Sequence, residues 1–355
     1  MSTPVISVVM SVLNGELYLR EAMDSILAQT FPDFEFIIIN DGSKDATSDI
    51  LRSYADKDAR IRVYDQENAG LINALNRGCT QARGKYIARM DADDIAAPSR
   101  LAQQYKFMEA HPQVGVVGGA VQFVNNKSEL VKLEDQILLD NNELQRELLE
   151  RCVFWHPTVL FRTAIFHAVG GYRRVLDAED YDLWLRIAER ADLANLPNVL
   201  VKYRLHPAQV SASKRHQQIL GAIAARASAK SRRSGSTDPL DTMHNISAAA
   251  LINAGISESI LQATLARGYL TWIRNMYRSG QYRSAISMFE QSKVIPRRHV
   301  PSWILAESHL LAGRAHWQDN NLRMSAIHLA RAVIVRPVIL ARPLRHLLRS
   351  FTILT

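Results

Sequence analysis

Cysteine is nearly absent from this chain of 355 residues. Cys79 and Cys152 alone build neither a disulfide framework nor a zinc site, and a reducing, cytosolic compartment fits them. No run of about 18 apolar residues occurs, so no membrane-spanning helix is expected. Met1 to Pro4 lead straight into a β-branched stretch without the basic start and apolar core of a secretory leader, so no leader is expected either. The chain has no G-x-G-x-x-G after its first strand-like run and no G-x-x-x-x-G-K-[ST], so a dinucleotide fingerprint and a phosphate-cradling P-loop are both missing. Acidic residues are scarce in the second half. Residues 202–355 carry 22 Lys and Arg against 6 Asp and Glu, whereas residues 1–201 carry 21 against 29. Two domains with different partners follow from that split, and the length allows them. The basic half has few aromatics placed for base stacking and no nucleic-acid module, so nucleic acid is not an expected partner. An anionic membrane surface suits its charge better.

What is present begins with β-branched runs. Val5 to Val12 and Phe34 to Asn40 read as buried strands, and Ile61 to Tyr64 as a short third. Between them lie helical spacings: Leu19, Met23, Ile26 and Leu27, then Ile50, Leu51 and Tyr54, then residues 71–81. Alternating strands and helices argue an α/β fold with a mostly parallel sheet flanked by helices. Ligands of such sheets bind beyond the carboxyl ends of the strands, where Asn14, Asp41, Asp91 and Asp93 fall. Asp41 reads either as a turn former in NDGS or as an acceptor for a base or ribose. The fourth strand, in KYIARMDADD, ends in three carboxylates. On an extended backbone Asp91 and Asp93 point the same way and Asp94 elsewhere. A carboxylate pair at a strand end reads either as a solvated acidic turn or as a place for a divalent metal that holds a diphosphate.

Four stretches in order carry a resemblance: SVVMSVLNGELYLREAMDSILAQTF, FIIINDGSKDAT, ENAGLINALNRGCTQARGKYIARMDADD and PSRLAQQYKFMEAHPQVGVVGG. They cover about a third of the chain and resemble a family-2 glycosyltransferase of the inverting, GT-A type. That resemblance implies a nucleobase contact for Asp41, a ribose and metal contact for Asp91, and Mn²⁺ or Mg²⁺ ligation by Asp93. It also implies a place near the phosphates for Arg83 and Lys85. The His156-Pro157 bend resembles the family's acceptor-facing segment, and Asp182 and Trp184 are assigned to the same side. EDYDLWLR resembles the catalytic acidic motif, which makes Asp180 the expected base, with Glu179 and Asp182 as alternatives. An acid there also complements a helix dipole, but three in one turn exceed that need. YRLHPAQVS resembles the segment that closes the catalytic domain and sets Arg204 and His206 near the diphosphate.

The second half reads as helical. Lys214 to Arg233 is Ala-rich, and Ser234 to Pro239 reads as a linker. GQYRSAISMFEQSKVIP and NNLRMSAIHLARAVIVRP align at an offset of 41, each resembling the second helix of a tetratricopeptide-type hairpin. The expected organisation is a catalytic domain over 1–210, a basic helix and linker over 211–238, and helical hairpins over 239–355 with a basic amphipathic tail. The expected activity is transfer of a hexosyl or N-acetylhexosaminyl group from a nucleotide-sugar donor, UDP-linked by preference, to a hydroxyl of a growing cell-surface glycan. A lipid-linked acceptor at the inner membrane face would use the basic half. The rival readings are a nucleotidyltransferase, which would release pyrophosphate, and a non-catalytic nucleotide-binding scaffold.

Overall fold

A computed structural model describes residues 3–131, 137–175, 177–205, 215–243 and 245–341. The chain divides into two compact units, Met1–Lys214 with Ala224–Ile246, and Arg215–Ile223 with Ser247–Thr355.

The first unit holds β1 (Ile6–Val12), α1 (Leu19–Leu27), β2 (Phe34–Asn40), α2 (Thr47–Ala55), β3 (Ile61–Asp65), α3 (Leu71–Thr80), β4 (Tyr86–Asp91) and β5 (Ile95–Ala96). It continues with α4 (Arg100–Ala110), β6 (Val114–Val124), α5 (Asn141–Glu147), β7 (Leu160–Arg162), α6 (Thr163–Ala168), α7 (Glu179–Ala188) and β8 (Asp192–Arg204). The eight strands form one sheet in the order β3-β2-β1-β4-β7-β6-β8-β5. β1, β2, β3 and β4 pair in parallel, as do β6 and β8, whereas β7 runs antiparallel to β4 and β6. The mostly parallel, helix-flanked sheet is therefore the expected one.

Strand alternation decides which layer each residue joins. Ile6, Val8, Met10, Phe36, Ile38, Tyr86, Ala88 and Met90 share one buried cluster with Leu19, Met23, Ile26, Leu101 and Met108 of α1 and α4. Val9 and Ile39 face the other way, onto α3. There Gly78 permits the approach, since a Cβ at that position would lie 2.6 Å from Val9 Cγ1. β8 is longer than the Val199-to-Arg204 strand read from sequence. Pro197 reads as a breaker, but it is absorbed where the β6 register jumps from Gly119↔Leu196 to Ala120↔Val199.

α8 (Arg215–Arg233) spans the boundary between the units. The second unit continues with α9 (Ala248–Asn253), α10 (Glu258–Arg278), α11 (Tyr282–Ser292), α12 (Ser302–Gln318) and α13 (Leu322–Val335). Ser247, Ser257 and Asn321 cap three of these helices with side-chain oxygens. Leu261, Leu265, Ile273, Phe289 and Ile304 are buried, and so are His309 and His328, whose Nδ1 atoms lie 2.9 Å apart. No helix among the described residues is long and apolar enough to cross a membrane. Arg342, Arg345 and Arg349 of the basic tail lie outside the described residues.

Candidate active site

The sheet brings its carboxyl edge together through short polar clamps. Asn14, at φ 52°, follows β1; its Oδ1 accepts from Lys44 N at 2.8 Å, and its own N donates to Ser43 Oγ at 2.9 Å. Asp41 follows β2 and is buried. Its carboxylate accepts from Gln66 Nε2 (2.7 Å), Ala69 N (2.8 Å) and Gly70 N (2.9 Å), so it orders the loop that opens α3. Gly42, at φ 80°, lets that loop close in, since a Cβ there would sit 2.8 Å from Asn68 N.

β4 delivers the acids. Carboxylate oxygens of Asp91, Asp93 and Asp94 all lie within 4.8 Å of one another. Asp94, expected to point elsewhere, turns back into this group because the chain folds sharply into β5. It is 1% exposed; one oxygen accepts from Arg204 N at 2.8 Å, and the other has no hydrogen-bond partner among the described residues. Burial pushes the Asp94 carboxyl well above its usual range, and the charges of Asp93 and Asp91 push it further. Burial also raises Asp91, against the pull of Arg89. A buried, unsatisfied carboxylate oxygen beside two more carboxylates is the donor set that a hard divalent cation would satisfy, so the residues fit such an ion.

Arg204 is 1% exposed, and its guanidinium is engaged inside the protein. It donates to Asp93 O (2.7 Å), Ser128 Oγ (2.9 Å) and Glu21 (2.5 Å), and it lies 4.5 Å over the Tyr18 ring. It fixes the acidic turn from behind, and no free fork remains for a diphosphate. His206 lies outside the described residues. Arg83 is not at the site. It precedes β4 and binds Glu35 at 2.9 Å at the amino edge of the sheet, whereas Asp91 ends β4. Five strand steps from Tyr86 to Asp91 alone make about 16 Å. Lys85, bound to Glu109 at 2.6 Å, shares that far edge.

The second acidic centre is the first turn of α7. Asp180 is half-buried, and its Oδ1 accepts from Tyr181 N at 2.7 Å. Glu179 is buried. Burial, with the charge of Asp180 added, pushes it up to about 8. Asp180 is raised too, by burial, with its own hydrogen bond to Tyr181 and the charge of Arg89 opposing. Asp182 and Trp184, read as acceptor contacts, are fully buried. Asp182 takes a fork from Arg173 (2.5 and 3.1 Å) and a second from Arg186 (2.8 and 2.9 Å). Helical spacing explains this, since Asp182 lies two residues beyond Asp180 and turns its side chain inward. Trp184 packs on Phe154, His156 and Phe161 with ring centroids 5.7–5.9 Å apart. His156 is half-buried, its Nε2 2.9 Å from Tyr172 Oη. Burial holds it well below the usual histidine range, so it is neutral at pH 7.

Three residues at the site were not read from sequence. Asp94 was set aside by strand alternation that ends at Asp91. Arg89 carried a signal, a lone cation inside an apolar strand and in step with Asp91. Trp155 is half-buried against Phe123 and Tyr203, 5.4 and 5.3 Å between centroids, and nothing in the sequence separated it from its neighbours Phe154 and His156.

Comparison with known proteins adds to this geometry. The model of the family described as glycosyl transferase family 2 matches residues 7–170. A glycosyltransferase of Haemophilus influenzae, itself uncharacterized, is 34% identical over 227 residues, which is 61% of this chain and 70% of that protein. The O-antigen biosynthesis glycosyltransferase WbnJ of Escherichia coli is 36% identical over 205 residues, 57% of this chain and 80% of that protein. Among solved structures, S. aureus TarS 1–349 in complex with UDP-GlcNAc aligns with a TM-score of 0.55 and 19% identity over 90% of both chains. The mannosyltransferase PcManGT of Pyrobaculum calidifontis, in complex with GDP-Man and Mn²⁺, aligns with a TM-score of 0.51 and 18% identity over 94% of this chain and 87% of that one. At these identities the solved structures speak for the fold alone.

Proposed function

This chain belongs to glycosyl transferase family 2, and from that premise we propose that it is an inverting, metal-dependent enzyme acting on a nucleoside-diphosphate sugar. The observation that carries the reading is the pairing of two acidic centres at one edge of the sheet, three clustered carboxylates after β4 and the Glu179–Asp180 pair opening α7. Asp91 is close enough to raise Asp180 by its charge.

Asp91, Asp93 and Asp94 would hold Mn²⁺ or Mg²⁺. Bound there, the ion would stabilise the departing diphosphate as a Lewis acid. The loops clamped by Asn14 and Asp41 would receive the nucleoside. Asp180 is the base. As the acceptor oxygen attacks the anomeric carbon, its proton passes to the Asp180 carboxylate. The carbon–oxygen bond to the diphosphate breaks on the opposite face, and the configuration inverts. Burial and the charge of Asp180 push Glu179 up to about 8, which favours its protonated form. Two neighbouring acids with separated environments thus take separate roles.

A UDP-linked donor is the first choice, in keeping with the ligand of the TarS structure, and GDP-linked mannose the second. A hydroxyl of a growing cell-surface glycan is the acceptor class, supported by the O-antigen role of WbnJ. A lipid-linked acceptor would draw on the basic second half for peripheral contact with an anionic membrane. The test is release of nucleoside diphosphate from a panel of sugar nucleotides, with wild type and Asp180→Asn compared. The reading expects turnover to fall at least 10³-fold in Asp180→Asn with nucleotide binding retained. Full turnover in that variant would remove Asp180 as the base.

A further inference from the structure

No side chain caps the helix that carries the candidate base. Ala178 stands at its N-cap, and Asp180 spends Oδ1 on the neighbouring Tyr181 N. The helix is fixed instead by ions from a distant part of the chain. Residues 224–246 fold into the first unit, and within them α8 buries Ala224, Ala225, Ser228 and Ala229. Asp238, on the turn after α8, is 6% exposed. Its Oδ1 accepts from Ser228 Oγ (2.6 Å) and Leu240 N (2.9 Å), and its Oδ2 from Arg173 Nη1 (2.9 Å) and Arg232 Nη1 (2.6 Å). Arg173 passes the constraint on, because the same guanidinium forks onto Asp182 in the first turn of α7 (2.5 and 3.1 Å). Arg232 acts at the other end. Its Nε and Nη2 fork onto Glu189, the C-cap of α7, at 2.9 and 2.7 Å. Arg186, inside the helix, joins Asp182 to the carbonyls of Val169 and Gly171. Three guanidinium groups thus meet three carboxylates, with the exposed Asp241 at the rim, 3.6 Å from Arg173. Removing one partner from such a set leaves a charge uncompensated.

We propose that Arg232 and Asp238 are positioning residues for the Glu179–Asp180 pair, gripping α7 at both ends: Asp238 through Arg173 and Asp182 at its first turn, Arg232 through Glu189 at its last. The inference rests on the reading of Asp180 as the base. A general base works only within hydrogen-bond reach of the acceptor hydroxyl, and a misplacement of about 1 Å can cost on the order of 10²-fold in rate. Asp180 and Asp182 share one helical turn, so a fork that fixes Asp182 also fixes the backbone from which Asp180 projects. α7 has ten residues, which makes it roughly 15 Å long, and a grip at one end alone would leave it free to pivot. Arg232 and Asp238 both lie beyond the residues 7–170 matched by the family model. The segment that reads from sequence as basic helix and linker thereby completes the catalytic unit.

The test uses the full-length protein with two neutral variants, Arg232→Met and Asp238→Asn, either of which serves if the other fails to fold, and the conservative Arg232→Lys. Circular dichroism checks each. Hydrogen exchange of the α7 amides, read by mass spectrometry, is expected to quicken about tenfold in a folded neutral variant. The kcat for nucleoside diphosphate release is expected to fall about tenfold or more, with Mn²⁺-dependent UDP affinity by titration calorimetry within about twofold of wild type, and Arg232→Lys recovers part of the loss. Combined with Asp180→Asn, Arg232→Met should lower the residual turnover no further, because the clamp acts through the base. α7 amides that exchange as in wild type, or a loss of kcat that repeats in full in the Asp180→Asn background, would overturn the inference. Full turnover in Asp180→Asn alone would instead remove Asp180 as the base, and the same cycle run against Glu179→Gln would then decide the clamp.

Discussion

Replacing Asp182 by Asn tests what the first turn of α7 is for. The sequence places three acids there, and Asp182 was open to reading as an acceptor contact or a second candidate base. In the structure its carboxylate is fully buried and receives two guanidinium forks, from Arg173 and Arg186. Arg173 also pairs with Asp238, 2.9 Å away, which Ser228 and Leu240 N hold in turn. Asparagine would leave the buried Arg186 and the quarter-exposed Arg173 facing an amide that can accept on one side only. Breaking a buried pair in this way costs about 3–5 kcal/mol. For a unit of this size each kcal/mol lowers Tm by roughly 2–4 °C, so a fall on the order of 10 °C is expected. Thermal unfolding followed by circular dichroism, with and without urea, reads it directly. A variant that melts like wild type and loses only acceptor affinity would refute the structural role and return Asp182 to the acceptor side.

Other expectations rest on the same geometry. Arg83→Ala leaves Mn²⁺-dependent nucleotide affinity within about twofold, because Arg83 sits at the opposite edge of the sheet; a tenfold loss by titration calorimetry would contradict that placement. Burial lowers His309 and His328 of the helical unit from the ordinary 6.5 to about 4, with His328 adding to it at His309 and His316 at His328. Folded values below unfolded ones mean that the unfolded chain binds protons first, so this stability is complete above about pH 7 and is lost as pH falls from 6.5 towards 4. Each shift amounts to about 3 kcal/mol. The urea midpoint of wild type should therefore fall more steeply over that window than that of His328→Gln, and parallel slopes would argue against it.

The sheet was legible because buried parallel strands leave continuous β-branched runs, as VISVVMSV and FEFIIIN do, and because helices between them repeat at 3.6. β5, two residues long, left no such pattern and was missed. The strand-end acids were legible for a related reason, since the sheet places its ligands where the strands stop. What sequence did not convey is the direction of side chains in three dimensions. Asp180 and Asp182 look alike in EDYDLW, yet the first is half-buried at the start of α7 and the second closes an internal ion network. Arg83 and Arg89 are six residues apart, yet they lie at opposite ends of one strand. Arg204 reads as a diphosphate contact until Glu21, Ser128 and the acidic turn are seen to surround it. Ser234 to Pro239 reads as a linker, but Asp238 within it is buried and ion-paired to Arg173 and Arg232.

The most direct test of the whole account is calorimetric titration of UDP, then GDP, with and without Mn²⁺, into wild type, Asp93→Ala and Asp180→Asn. The account predicts metal-dependent binding of a nucleoside diphosphate by wild type, its loss in Asp93→Ala, and its retention in Asp180→Asn. Binding by Asp93→Ala that matches wild type, or a folded wild type that binds no nucleoside diphosphate at all, would contradict it.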